Sequence, residues 1–245
     1  MTPPRAYRTR IYARYVEAAG AVLAPTTLAQ LGPRRPFLER LATRHFPPSR
    51  TAAILDLGCG HGALVHVARS LGWTNIGGVD ASPSQIAAAK RLGIAGVREA
   101  DALATARALP PASLDAAICF DVIEHLDRDE ILALTDAVVV ALKPGGRWIV
   151  HVPNGASPFG GAALYGDFTH ELAFTAESIT QLALSSGFSA VAVEEDEPVA
   201  HGAKSWLRLI LWRVIRAGLR FWLRVETGSV SQPVLTQNFL AVLTK

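Results

Sequence analysis

Cysteine is scarce in this chain of 245 residues: only Cys59 and Cys119 occur. Two thiols exclude a disulfide framework and suit a reducing compartment. No Cys/His cluster has the spacing of a metal site, so no metal is expected. An excess of one charge is also missing. With 24 basic and 21 acidic residues the formal net charge is +3, which does not advertise a nucleic-acid binder. No apolar run is clean enough to cross a bilayer. The most hydrophobic stretch, 203–224, carries five arginines, each costing about 2.5 kcal/mol or more at the bilayer centre. Met1 to Arg14 is basic, but the apolar stretch Ala18 to Ala24 is short and contains Gly20. No cleaved signal peptide is read there, and a cytoplasmic protein is expected. Internal repeats are absent.

Half of the residues are hydrophobic, enough for one large domain with appendages and no second catalytic domain. The informative stretch is Ile54 to Leu64. Ile54 to Leu57 form an apolar run of strand length, and Leu64, Val65, Val67, Ala68 and Leu71 recur at helical spacing. Between them stand Gly58, Gly60 and Gly62. Such a loop sits at the C-terminal end of a parallel strand, where α/β sheets bind ligands, and its glycines let a ligand approach the backbone. The helix start that follows offers free N–H groups.

The spacing Gly58-x-Gly60-x-Gly62 leaves one residue between the last two glycines, whereas the dinucleotide fingerprint requires two. Ala63-Leu64 follows where a Walker loop needs Lys-Ser/Thr, which argues against phosphate transfer. Asp56, in the mouth of the loop, would repel a pyrophosphate and attract an ammonium or sulfonium.

Asp56-x-Gly58-x-Gly60-x-Gly62 resembles the first motif of class I S-adenosylmethionine-dependent methyltransferases, and further matches follow in the family's order. Gly77-Gly78-Val79-Asp80-Ala81-Ser82 resembles the second strand, whose terminal acid holds the ribose hydroxyls; a carboxylate accepts from both. Asp101-Ala102 resembles the third strand end, which faces the adenine amino group. Leu114 to Leu126 resembles the fourth motif and Leu142 to Val150 the turn into the fifth strand. The resemblance spans roughly residues 50 to 155. It implies S-adenosylmethionine as co-substrate, held by Asp56, Gly58, Cys59, Gly60, Gly62, Asp80, Ala81, Ser82, Asp101, Ala102, Phe120, Asp121 and Val122.

Strands alternate with helices from Thr51 to Val152, the helices being placed at 63–71, 83–92 and 128–142. This predicts an α/β fold, a doubly wound, mostly parallel seven-stranded sheet of Rossmann-like type with an antiparallel closing strand. Residues 1–50 read as an N-terminal helical cap, with Tyr7, Ile11, Tyr12, Tyr15 and Val16 at helical spacing and a second helix from Pro36 to His45. Residues 51–245 form the cofactor-binding domain. Thr175 is the expected N-cap of a helix ended by Gly187, and Phe188 to Glu195 and Asn238 to Thr244 are the closing strands.

Between those strands lies an insertion at about 203–225. On a helical wheel Arg213, Arg216, Arg220 and Arg224 share one side, opposite Leu207, Ile210, Leu211, Val214, Phe221 and Trp222. That is the pattern of a helix lying in a membrane interface, here on the inner face of the membrane. A packing face, a dimer face or a gate over the pocket are the alternatives. The apolar face is too large for a nucleic-acid groove binder.

Methyl transfer is an in-line displacement in which the protein aligns the nucleophile and takes its proton. By the resemblance, His125 starts the segment lining the methyl pocket. Asp167-Phe168-Thr169-His170-Glu171, with Pro153 to Ala156 and Phe174-Thr175, resembles enzymes of cell-surface glycolipid, polysaccharide and quinone pathways. There His170 would serve as base and Asp167 would orient it. The expected activity is O-methylation of a bulky amphiphilic, lipid-linked or glycan-linked acceptor. A soluble small-molecule acceptor and a regulatory subunit that binds the cofactor without turnover remain the alternatives, and the oligomeric state is open.

Overall fold

The computed structural model describes residues 6–12, 25–228 and 233–245; Tyr15, Val16 and the Ala18–Ala24 run of the expected cap lie outside them. The centre is a seven-stranded sheet in the order β3-β2-β1-β4-β5-β7-β6. Its strands are β1 (Ile54–Leu57), β2 (Ile76–Asp80), β3 (Val97–Glu99), β4 (Leu114–Phe120), β5 (Leu142–Pro153), β6 (Ala190–Glu195) and β7 (Asn238–Thr244). The first five run parallel, and β7 pairs antiparallel with both β5 and β6. This is the expected class I methyltransferase architecture.

The helices are α1 (Ala6–Tyr12), α2 (Arg35–His45), α3 (Ala63–Ser70), α4 (Pro83–Arg91), α5 (Ala102–Ala108), α6 (Arg128–Ala141), α7 (Gly160–Tyr165), α8 (Ala176–Ser185) and α9 (Ala203–Thr227). Successive strand residues point to opposite faces, which divides the core in two. Ile54, Ala116, Ile118, Ile149, Leu240 and Val242 meet α2 and α3. Leu57, Ala117, Cys119, Trp148, Val150, Phe239 and Leu243 meet α5, α6 and α8 on the other face. Each buried Leu, Ile or Val on these faces contributes about 1.5–3 kcal/mol, so both layers are held by apolar burial.

Helix starts follow local chemistry. Asp127 caps α6 by accepting from Glu130 N at 2.9 Å while Glu130 returns a carboxylate to Asp127 N at 2.8 Å. Thr175 caps α8 as expected, accepting from Ser178 N at 3.2 Å. The strand expected from Phe188 begins at Ala190, because Phe188 is turned into the core beside Trp148, ring centroids 6.0 Å apart. The insertion is one continuous helix, α9, running three residues beyond Arg224.

Packing fixes which side of its wheel faces inward. Arg216 and Arg220 face the body: Arg216 Nη1 donates to Leu235 O at 2.7 Å and Arg220 Nη2 pairs with Glu195 at 2.7 Å. Only Leu209 on α9 is buried. The apolar side looks outward, with Arg213 and Arg224 along its edge.

Candidate active site

The switch in strand order between β1 and β4 opens a cleft of about 850 Å³ at the C-terminal ends of the parallel strands. Every residue of the expected cofactor set except Gly62 lines it, together with His125, Asp167 and His170.

The glycine loop is built by backbone needs. Gly58, Gly60 and Gly62 have φ of 81°, 56° and 81°, a region costly for side chains. A Cβ on Gly58 would lie 2.3 Å from Val122, and one on Gly62 2.6 Å from Val97. Gly62 therefore serves close packing and the start of α3, which explains its place behind the cleft wall.

Asp80 ties the loop to β2. Its carboxylate accepts from Gly60 N and from Ser82 N, both at 2.8 Å. Each oxygen keeps a lone pair for a ribose hydroxyl. Asp101 caps α5 through Ala104 N at 2.7 Å and borders the cleft. Asp56 is 2 % exposed, and its Oδ1 has no hydrogen-bond partner. Burial, then the Asp80 carboxylate, pushes Asp56 up to about 7. Burial likewise raises Asp80 against the pull of the Ser82 and Gly60 N–H groups. Two acids short of countercharge, beside a loop without bulky side chains, fit the ammonium, sulfonium and ribose of S-adenosylmethionine.

Two histidines not singled out from the sequence, His151 beneath Asp121 and His61 beside Gln85, support the cleft lining. Asp121 holds a left-handed backbone (φ 56°) at the end of β4, and its carboxylate lies 2.5 Å from His151 Nδ1. Burial opposes charge on His151, yet Asp121 and Asp196 outweigh it and push the ring up to about 10. His151 also stacks on Phe120, centroids 4.2 Å apart. A histidine inside an apolar strand has no motif to announce it. His61 lines the cleft and contacts Gln85 at 3.2 Å.

The acceptor end brings together His125, His170, Asp167 and Glu124. Asp167 Oδ1 accepts from Thr169 N at 2.8 Å and Thr169 Oγ1 at 2.6 Å, and Thr169 Oγ1 contacts His125 Nδ1 at 2.8 Å. The acid expected to orient His170 is thus linked through Thr169 to His125. His170 Nδ1 instead faces the carbonyls of Ala163 and Leu164 at 2.9 and 3.1 Å. Burial, then His170, pulls His125 down to about 4, so it is neutral near pH 7. Over this end lies α1. Tyr7 hydroxyl bonds Glu171, Arg8 pairs with Glu130 at 2.7 Å, and Tyr12 packs edge-on to His125.

A seven-stranded sheet of this order, with a glycine loop and successive acids on β1, at the end of β2 and just after β3, defines a class I S-adenosylmethionine-dependent methyltransferase. Residues 30–193 match the methyltransferase domain family, and the chain belongs to it. S-adenosylmethionine is its co-substrate. Solved structures share the fold. One is a SAM-dependent methyltransferase from Archaeoglobus fulgidus, with TM-score 0.64 and 20 % identity over 86 % of this chain and 94 % of that one. Another is phosphoethanolamine N-methyltransferase 2 of Haemonchus contortus with bound S-adenosyl-L-methionine, at 0.61 and 19 % over 98 % and 60 %. A third is geranyl diphosphate C-methyltransferase of Streptomyces coelicolor, at 0.57 and 17 % over 85 % and 74 %. A search of curated proteins found no match.

Proposed function

We propose that this methyltransferase transfers the methyl group of S-adenosylmethionine to an oxygen of a bulky amphiphile, lipid- or glycan-linked, while resting on the inner face of a membrane. The observation that carries the reading is the outward apolar side of α9. Trp206, Ile210, Val214, Phe221 and Trp222 are each more than half exposed, and no acid stands on the helix before Glu226. Arginines at the edge of an apolar face with tryptophans suit the anionic headgroup layer. Among the described residues no helix is long and apolar enough to cross a membrane, which favours a surface mode.

The placement of α9 supports the same reading. It is tied by Arg216 to Leu235 and by Arg220 to Glu195, residues at the end of the sheet where Pro153 and Asn238 line the cleft. A headgroup held at the surface would have a short path to the methyl. The nucleophilic hydroxyl would lie near His125 and His170. Burial holds His125 near 4 and the Asp167–Thr169 link keeps it in one orientation, while His170 stands beside it, ring centroids 4.6 Å apart, as the base for the hydroxyl.

The test incubates the protein with labelled S-adenosylmethionine and a membrane lipid extract, alongside pelleting with phosphatidylglycerol–phosphatidylethanolamine vesicles. Label in the lipid phase, with release of S-adenosylhomocysteine, is expected. Turnover of soluble acceptors alone would replace the lipid reading, and cofactor binding without turnover on any extract would favour a regulatory subunit.

A further inference from the structure

We propose that Glu124, His125 and His170 form a binding site for a divalent first-row transition metal ion, of the Zn(II) type, at the acceptor end of the cleft. A ligand-type atom of each lies within 4.8 Å of the others, and all three residues line the cleft.

Three observations point to a cation there. Glu124 is 1 % exposed, and neither of its carboxylate oxygens has a hydrogen-bond partner. A buried carboxylate with no donor is costly, by about 1–3 kcal/mol or more, and such a group needs a stated purpose. Second, His125 is fixed by its hydrogen bonds. Thr169 gives its single hydroxyl proton to Asp167, so its oxygen accepts from His125 Nδ1–H at 2.8 Å. Third, His170 Nδ1 faces only carbonyl oxygens, of Ala163 and Leu164, so it must carry the proton. In the neutral form of both rings, the lone pair is therefore on Nε2. The cluster gathers two imidazole lone pairs and a carboxylate with no donor hydrogen-bonded to the acid.

Anchoring of the second ring nitrogen by a carbonyl, or by a hydroxyl backed by a carboxylate, is the arrangement that orients metal-ligating histidines. Two imidazoles and one carboxylate suit borderline ions such as Zn(II), Co(II) or Fe(II) better than Mg(II), which prefers oxygen. With three protein ligands, the ion keeps positions open toward the cleft for an oxygen of the acceptor. A hydroxyl bound there would lose its proton more readily, and His170 would act as ligand rather than base. That last role rests on the methyl-transfer reading above; the binding of the ion does not.

The experiment uses the full chain, stripped by chelation and titrated with Co(II) alone, then with Zn(II) alone. The expected result is one ion per chain, visible Co(II) absorption of a nitrogen/oxygen site, and its displacement by Zn(II). His170→Ala and His125→Ala should each weaken binding at least tenfold, and Glu124→Gln should do the same. His170 lies on a half-buried loop, so His170→Ala should retain the fold by circular dichroism if the buried Glu124 variant does not. S-adenosylhomocysteine affinity is measured on every sample. Normal cofactor binding with no stoichiometric Co(II) or Zn(II), or with metal binding unchanged in His170→Ala, overturns the metal site and leaves the methyltransferase intact. Loss of cofactor binding in the stripped wild type while the metal still binds would instead count against the cofactor geometry.

Discussion

Asp56 shows how one residue sets affinity against stability. Its folded value of about 7 lies above the ordinary 3.8, so the unfolded chain ionises it first. Folding stability therefore falls as pH rises from 3.8 to about 7 and then levels off. The shift corresponds to about 4 kcal/mol. Asp56→Asn should make the ligand-free protein more resistant to urea at pH 8 while abolishing S-adenosylmethionine binding; an unchanged or lowered midpoint would refute this account. Because a cationic ligand prefers the ionised acid, S-adenosylmethionine should bind more tightly as pH rises through about 7, by up to about tenfold per pH unit below it. Titration calorimetry from pH 5.5 to 8.5 reads that slope, and a flat profile would remove Asp56 from the site. Gly58 carries a steric prediction: an added Cβ would meet Val122 at 2.3 Å on a backbone of φ 81°. Gly58→Ala should lower stability by about 1–3 kcal/mol and cofactor affinity at least tenfold. Wild-type binding by this variant would count against the tight loop. These residues were legible from spacing and charge alone. His151 and Thr169 were not, since their roles exist only once β5 and the 167–170 loop meet the end of β4.

At the scale of elements, α9 carries the main prediction. Its apolar side is an exposed liability for a protein in free solution unless something covers it. Trp206→Glu, Ile210→Glu and Trp222→Glu together should abolish pelleting with anionic vesicles while leaving S-adenosylhomocysteine affinity unchanged. Persistent pelleting would place the contact elsewhere. A wild type that is dimeric by size exclusion and dissociates in the same variant would assign the face to a second copy. Amphipathicity was readable in the sequence, but orientation was not. A wheel cannot tell which arginines are drawn inward, and Glu195 and the Leu235 carbonyl drew in Arg216 and Arg220. Helix α1 shows the same limit: Tyr7 and Tyr12 announced a helix, whereas Arg8–Glu130 and Tyr12 against His125 reveal what it covers.

For the whole molecule, the co-substrate should act as a structural ligand, because the residues proposed to hold it line one cleft from the ends of several strands. S-adenosylhomocysteine at a hundred times its Kd should add about 2.7 kcal/mol of stability, roughly 5–10 °C in Tm for a chain of this size. No shift in differential scanning calorimetry would contradict a formed site. Strand and helix order, the glycine loop and the acids at successive strand ends follow from local patterns: apolar periodicity, backbone freedom at glycine and short-range capping. These the sequence determined by itself, because each depends on residues a few positions apart. Tertiary structure alone decided the pairing of His151 with Asp121, the meeting of Glu124 with His125 and His170, and the outward face of α9. Those features join segments 25 to 46 positions apart, and only the packing of the sheet selects which distant groups become neighbours.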